Sequence, residues 1–399
     1  MKKKLLFVAV SLDGGGAEKA LVNLLNLIDL SQYEISVQLF KNQGINLEYL
    51  PEDVKLLPSL ESQQWLMADN KTYVKNALKT GRADLLLKKA GAILKPRLKG
   101  SRSVRYKTLC AWRAIQRDFP KGKEHYDVAI AYLQGIPIYY VVDCVEADRK
   151  IGWMHTDFSK IDDTPHQDLL KYYSQLDAFV SISEKCVEAL QNAFPSIREK
   201  IHLLYNVNSV NLIETLSQRD SAEDMQTDMP SILSIGRLIA LKGFDMAVDA
   251  AAQLAKEGLA FRWYVLGAGA LEQQLKQQVA DKGLEDRFIF LGLRANPYPY
   301  IKKATIIAQT SRYEGKSVVL DEAKILKKPI LSTNYTSVRD QIQQGKTGYI
   351  VEINADDIAR GLKEMLENSA LCQQLVDGLE DACQEQEYWL NKHYELFEG

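Results

Sequence analysis

Two stretches of this chain hold residues whose types and spacing suit chemistry on a phosphorylated ligand. The first is Thr310-Ser-Arg-Tyr-Glu-Gly-Lys-Ser-Val-Val-Leu-Asp-Glu-Ala-Lys324. Glu314 stands at a loop mouth and Glu322 two helical turns further on, so both carboxylates can face one crevice. The apolar run Ala304 to Ala308 reads as a buried strand before it, and Ser317 is placed to cap a helix carrying Val318, Val319, Glu322 and Ile325. Gly315 lets backbone approach a ligand closely, and free N–H groups at the helix start favour a phosphate. A carboxylate inside the helix suits a ribose diol. The second stretch, Ser234-Ile-Gly-Arg-Leu-Ile-Ala-Leu-Lys-Gly243, follows the apolar strand Ile232 to Ile235. Gly236 and Gly243 bracket Arg237 and Lys242, two cations between which a diphosphate could sit. No Asp-x-Asp pair is available for a divalent ion, so these cations and the helix N-termini are expected to replace a metal, and no cofactor is expected.

The order Gly-Arg-Leu-x3-Lys-Gly and then Glu-x7-Glu resembles the retaining glycosyltransferases of family 4, over nearly the whole chain and most strongly from Ser231 to Ile350. The resemblance implies an α/β GT-B fold, two Rossmann-like domains facing a central cleft. It implies a nucleotide-diphosphate sugar as donor, UDP-linked in most members, and retention of anomeric configuration. Arg237 and Lys242 would neutralise the departing diphosphate, where electrostatic stabilisation acts most strongly. Glu322 would hold the ribose. Glu314, with the N–H groups of Gly315, Lys316 and Ser317 beside Val318, would hold the donor sugar. His155, beyond the end of a strand, matches a family histidine that contacts the transferred sugar, with Asp157 close by. Gly15 and Gly16 correspond to a loop beside the donor phosphates, and Leu293 with Arg294 to one that meets the base through its backbone. The chain departs from the family at Lys316, where an aromatic is usual, and carries Asp321 and Lys324 around Glu322, which leaves the sugar open. This variant, with Thr333-Asn-Tyr335, is similar to bacterial transferases that build capsule, exopolysaccharide or other envelope glycans, often on lipid-linked acceptors.

The elements that must position these residues alternate along the chain. A length of 399 residues predicts two domains: 1–215, a linker at 216–230, 231–384, and a final helix 385–399 that crosses back to the first domain by analogy with the family. Strands are expected at Leu5–Val10, Glu34–Phe40, Tyr126–Leu133, Lys150–Met154, Ala178–Ser183 and Ile201–Leu204. In the second domain they are expected at Ser231, Phe261–Leu266, Arg287–Leu291, Ala304–Ala308, Pro329–Thr333 and Gly348–Val351. The triplet Gly14-Gly-Gly16 turns the first strand into a helix, Ala17–Leu30. Lys2-Lys3-Lys4 before Leu5–Val10 imitates a signal peptide, but the apolar run is too short and reads as a strand.

A net charge of −2 argues against nucleic acid as main partner, and five scattered cysteines suggest neither disulfides nor zinc and fit a reducing cytoplasm. No run approaches eighteen apolar residues, so no spanning helix is expected. Residues 62–123 form a helical insertion. Within it, Leu85 to Arg117 carries ten cations and no acidic residue, interleaved with Leu85, Leu86, Leu87, Ile93, Leu94, Leu98, Val104, Leu109, Trp112 and Ile115. Such a stretch suits an anionic membrane surface, placing the protein on the inner face of the plasma membrane. The other readings are a solvated insertion packed on its own domain and an RNA-binding segment. Besides a transferase, the chain admits a nucleotide-sugar 2-epimerase, which needs no acceptor or basic face, and a catalytically silent partner of another transferase.

Overall fold

A computed structural model of the protein describes residues 2–13, 15–59, 70–98, 103–119, 121–122, 124–156, 158, 166–219, 222–226, 228–379 and 382–399. Gly14, Asp157, Lys99 and Arg102 lie outside the described residues, as do the side chains of Ile93, Lys95, Arg97, Leu98 and Val104. The chain divides into two compact units, Met1–Val207 with Trp389–Gly399, and Asn208–Tyr388.

The first unit is built on strands β1 (Lys3–Ala9), β2 (Tyr33–Leu39), β3 (Lys55–Leu56), β4 (His125–Ala131), β5 (Glu146–Met154), β6 (Ala178–Ser181) and β7 (Ile201–Leu203). All pair in parallel, in the order β3-β2-β1-β4-β5-β6-β7. Leu5 to Ala9 are no more than 2% exposed, because helices cover both faces of a central parallel strand and favour an apolar run over alternation. The helix expected over Ala17–Leu30 occupies only Gly16–Leu25. Asn26 ends it, its amide donating to the carbonyls of Val22 (2.8 Å) and Tyr49 (2.9 Å).

The second unit carries β8 (Ser231–Ile235), β9 (Arg262–Leu266), β10 (Phe288–Gly292), β11 (Ile306–Gln309), β12 (Ile330–Thr333) and β13 (Tyr349–Val351), in parallel order β10-β9-β8-β11-β12-β13. Both sheets reverse their direction of growth once, between β1 and β4 and between β8 and β11. At such a switch point the loops beyond neighbouring strand ends diverge and leave a ligand crevice.

Two expectations change. The first unit ends at Val207 rather than at 215, and the described residues of 216–230 are not a free linker. The helix Val210–Arg219 buries Ile213 and Leu216 within the second unit, the Leu216 carbonyl accepts from Asn296 Nδ2 (2.7 Å), and Ala222 and Met225 are buried as well. The amphipathic face of that helix, not its polar composition, decides which unit holds it.

The basic insertion forms helices Asn70–Lys79, Ala83–Leu98 and Val104–Ile115. Leu85, Leu109, Trp112 and Ile115, expected on a membrane face, are instead buried in the first unit's own core with Tyr73 and Tyr106. Trp112 Nε1 donates to Asp143 (2.6 Å), and Arg113 pairs with Asp168 (2.8 Å). Among the described residues here, the exposed large apolar ones are Val74, Leu78, Leu87 and Leu94, between 42% and 77% exposed.

Candidate functional site

In the second unit, the ends of β8 and β11 flank the switch point and lead into the two stretches singled out above. Gly243 has φ +66°, and a Cβ on it would lie 2.1 Å from the Thr310 carbonyl oxygen, so only glycine lets these loops approach. Lys242 lies across Gly236, where a Cβ would stand 3.2 Å from its Cε. Its ammonium reaches Glu314 Oε1 at 2.5 Å, with side-chain exposures of 20% and 14%. The same oxygen accepts from Gln309 Nε2 (2.7 Å) and Ser311 Oγ (2.6 Å). Lys242 is therefore ion-paired rather than a lone cation. The Arg237 side chain is exposed and makes no hydrogen bond or ion pair among the described residues. Between the strand ends, Ser234, Lys242, Phe244, Ala308, Gln309 and Ser311 pack into a closed crevice with no room for a water molecule.

Arg312 braces the two loops. Its N–H donates to the Leu241 carbonyl (2.8 Å) and Nη1 to that of Ala240 (2.9 Å). Its guanidinium grips both oxygens of Asp245 at 2.7 and 2.6 Å. These bonds from Arg312 hold the Asp245 carboxyl below the usual range.

The expected N–H cradle is only partly free. Ser317 occupies the N-cap position of helix Val318–Ile325, but its side chain makes no capping bond. Its N–H already donates to Gln341 Oε1 (2.8 Å), while Gln341 Nε2 donates to the Ser317 carbonyl (2.8 Å) and to Asp321 (2.9 Å). The Gln341 carboxamide thus takes one of the three N–H groups expected to face a ligand, that of Ser317. Gly315 and Lys316 remain in the loop between Glu314 and the helix, and the Glu314 carbonyl accepts from Ser337 Oγ (2.8 Å). Lys316 stands 3.5 Å from Asp321, both nearly enclosed, with Lys324 at 4.0 Å. Where the family usually has an aromatic, this chain inserts a buried ion pair.

Glu322 does not share an open crevice with Glu314: it is 0% exposed and accepts from the Tyr298 hydroxyl (3.1 Å). Its helical position turns it toward Tyr298, on helix Tyr298–Lys303. Val318, at the first helical turn, is buried. Leu293 is exposed just beyond β10, and the Arg294 side chain is committed to Tyr300 (3.0 Å) and Asp224 (2.6 Å), leaving only backbone for a ligand there.

In the first unit, Gly15 is the N-cap of helix Gly16–Leu25, past the end of β1. A Cβ on Gly15 would fall 2.1 Å from Glu18 Oε2, so a carboxylate already lies over the expected anion cradle. His155 follows β5. Its Nε2–H donates to the Tyr132 carbonyl (2.9 Å) and its backbone N–H to Gln134 Oε1 (3.3 Å). Nδ1 is buried with no hydrogen-bond partner. Burial pushes the imidazole down to about 4, so near neutral pH Nδ1 is a lone-pair acceptor. Among the described residues, no three His, Cys, Asp or Glu side chains gather into a metal-ligand set.

Sequence reasoning missed Gln309, Ser311, Arg312, Asp245, Tyr298 and Gln341. Gln309, Ser311 and Arg312 lie within or next to the first motif and could have been flagged as its polar lining. Asp245, Tyr298 and Gln341 are distant in sequence and reach the site only through packing.

Residues 217–379 match the family described as glycosyl transferases group 1. A curated relative from Campylobacter jejuni, N-acetylgalactosamine-N,N'-diacetylbacillosaminyl-diphospho-undecaprenol 4-alpha-N-acetylgalactosaminyltransferase, is 28% identical over 67% of this chain and 72% of its own. Alpha-D-kanosaminyltransferase of Streptomyces kanamyceticus is 22% identical over 50% of this chain and 54% of its own. Among solved structures, HepE from Anabaena in complex with UDP and glucose aligns with a TM-score of 0.65 at 17% identity, covering all of both chains. The TarM G117R mutant from S. aureus, in complex with Fondaparinux, alpha-GlcNAc-glycerol and UDP, aligns at 0.69 and 14%, again over both whole chains. The fold is thus the GT-B fold.

Proposed function

We propose that the chain, whose residues 217–379 match the group 1 glycosyl transferases, is a glycosyltransferase that moves a sugar from UDP to a lipid-linked or glycan acceptor of the bacterial envelope, with retention and without a metal. The observation that carries this reading is the convergence of Gly236, Lys242, Gly243, Arg312 and Glu314 at the switch point between β8 and β11. The Lys242 ammonium, held by Glu314, would meet the diphosphate as negative charge develops on it, and the exposed Arg237 would add a second cation. Gly315 and Lys316 would offer backbone N–H groups to the sugar. Glu322 is a carboxylate without solvent, a costly state that hydrogen bonds must offset; Tyr298 supplies one, and a ribose diol would supply more. His155 would accept a sugar hydroxyl at Nδ1. The UDP-bound HepE and TarM structures and the undecaprenol-linked substrate in the Campylobacter enzyme's name support the choice of donor and acceptor class.

Thermal unfolding with UDP, GDP, ADP and CMP tests the donor. A UDP-selective rise that grows with concentration is expected, about 2.7 kcal/mol at a hundredfold excess over Kd, and it should vanish in Glu322→Ala. No shift with any nucleotide would favour the silent-partner reading.

A lipid-linked acceptor gives the basic insertion a role. No helix among the described residues is long and apolar enough to cross a membrane. The surface proposed to lie on anionic lipid is the set Val74, Leu78, Leu87 and Leu94, on helices that also carry Lys71, Lys75, Lys79, Lys88 and Lys89. Leu87→Ser with Leu94→Ser should leave the unfolding midpoint unchanged, since both side chains are exposed. It should also abolish sedimentation with phosphatidylserine vesicles at low salt. Undiminished sedimentation would remove these leucines from the proposal.

A further inference from the structure

We propose that His393, on the chain's last helix, is a positioning residue for His155, acting through a column of packed rings. The proposal rests on the reading that His155 contacts the sugar. The last helix is Ala382–Glu398, and from Trp389 onward it belongs to the first unit. Phe397 is 0% exposed and meets Phe7 of β1 edge-on at 6.1 Å. Tyr394 stacks on Tyr33 of β2 at 5.7 Å with planes 4° apart, and its hydroxyl accepts from the Asp29 N–H at 2.9 Å. Tyr33 in turn donates to Glu398 at 2.7 Å.

This docking lays His393 on Trp153 of β5, with ring centroids 5.6 Å apart and planes 19° apart. Trp153 stacks on Tyr132 at 5.1 Å and 28°, and Tyr132 lies 4.9 Å from the His155 ring. Trp153, Tyr132 and His393 are each no more than 1% exposed, so none has room to shift independently. His393 Nδ1–H donates to the Trp389 carbonyl one turn earlier (2.7 Å), which fixes the plane it presents to Trp153. Trp153 and His155 are two residues apart along the chain, and both rings meet Tyr132. Moving Trp153 therefore moves both the backbone and the stacking partner of His155. Among the described residues, the one side-chain hydrogen bond of His155 runs to the carbonyl of Tyr132, a member of the same column. The catalytic-side histidine is thus aimed by a histidine from the far end of the chain.

The test is NMR of the full chain labelled at its five histidines, the His155 signal being assigned with His155→Asn. In His393→Ala the His155 ring resonances should move and broaden. Two rings, Trp153 and Tyr132, separate the removed ring from His155, so a direct ring-current effect is small. Turnover should fall about ten- to a hundredfold, with donor KM within about twofold. His393→Phe, which keeps a flat ring, should restore both signal and turnover. An unmoved His155 signal in folded His393→Ala overturns the proposal, as does a His393→Phe variant as defective as His393→Ala at equal stability. Should His393→Ala not fold, Trp153→Phe takes its place: a shifted His155 signal is expected, and an unshifted one overturns the idea. If the wild type transfers no sugar, the functional reading fails, while the resonance comparison still decides the positioning.

Discussion

At the scale of single residues, the proposed chemistry centres on the Lys242–Glu314 pair. Removing the cation leaves Glu314 with two neutral donors, Gln309 and Ser311, so the fold tolerates it better than the reaction does. Lys242→Met should lower turnover about 10²–10³-fold by the precedent of lost transition-state donors, with a small change in urea midpoint. Turnover near wild type would show that the diphosphate charge is met elsewhere. Glu314→Gln does the opposite, stranding a largely enclosed ammonium. Its expected cost is about 1–3 kcal/mol of stability, read from urea unfolding, and a midpoint equal to wild type would mean that Lys242 simply turns to solvent.

At the scale of elements, the site depends on two loops held at a set distance. Gly243 permits the approach, and Arg312 with Asp245 ties it. Both partners of that ion pair are roughly two-fifths exposed, so the pair itself adds at most about 1 kcal/mol to stability. Asp245→Asn should therefore barely move the unfolding midpoint yet weaken UDP binding, measured by calorimetry, because the loop carrying Glu314 loses its brace. Equal losses of stability and affinity would assign the pair to the fold alone. Gly243→Ala combines a left-handed φ with contact against the Thr310 carbonyl. It should cost at least about 1–2 kcal/mol as well as affinity.

At the scale of the whole molecule, two histidines, His393 buried and His155 half-buried, set a pH response. His155 and His393 are both pushed by burial from 6.5 to about 4, the Tyr132 and Trp389 carbonyls opposing weakly. Between these values the unfolded chain binds protons that the folded chain refuses. Stability is therefore full above about 6.5 and falls as pH drops toward 4, by about 1.4 kcal/mol per pH unit for each histidine. In urea titrations, His393→Phe should flatten this part of the profile relative to wild type. A parallel profile would show that His393 is protonated in the folded state.

Much of the architecture was legible in the sequence because parallel strands buried on both faces appear as apolar runs, and glycines mark the turns after them. That is why β1, β8 and β11 stand within two residues of their expected bounds, whereas the two-residue edge strand β3 offered no pattern to read. Residue types and spacing likewise determined that Gly236, Lys242, Gly243, Glu314 and Glu322 deserve attention. What they could not determine is orientation. Whether Lys242 is free or paired, whether the Ser317 N–H is open or taken by Gln341, and whether Leu109 and Trp112 face lipid or core all depend on neighbours far along the chain. A local pattern states which residues could interact; only packing decides which partner is near enough to win. The link from His393 to His155 is the extreme case, carried by ring contacts between segments that no local spacing relates.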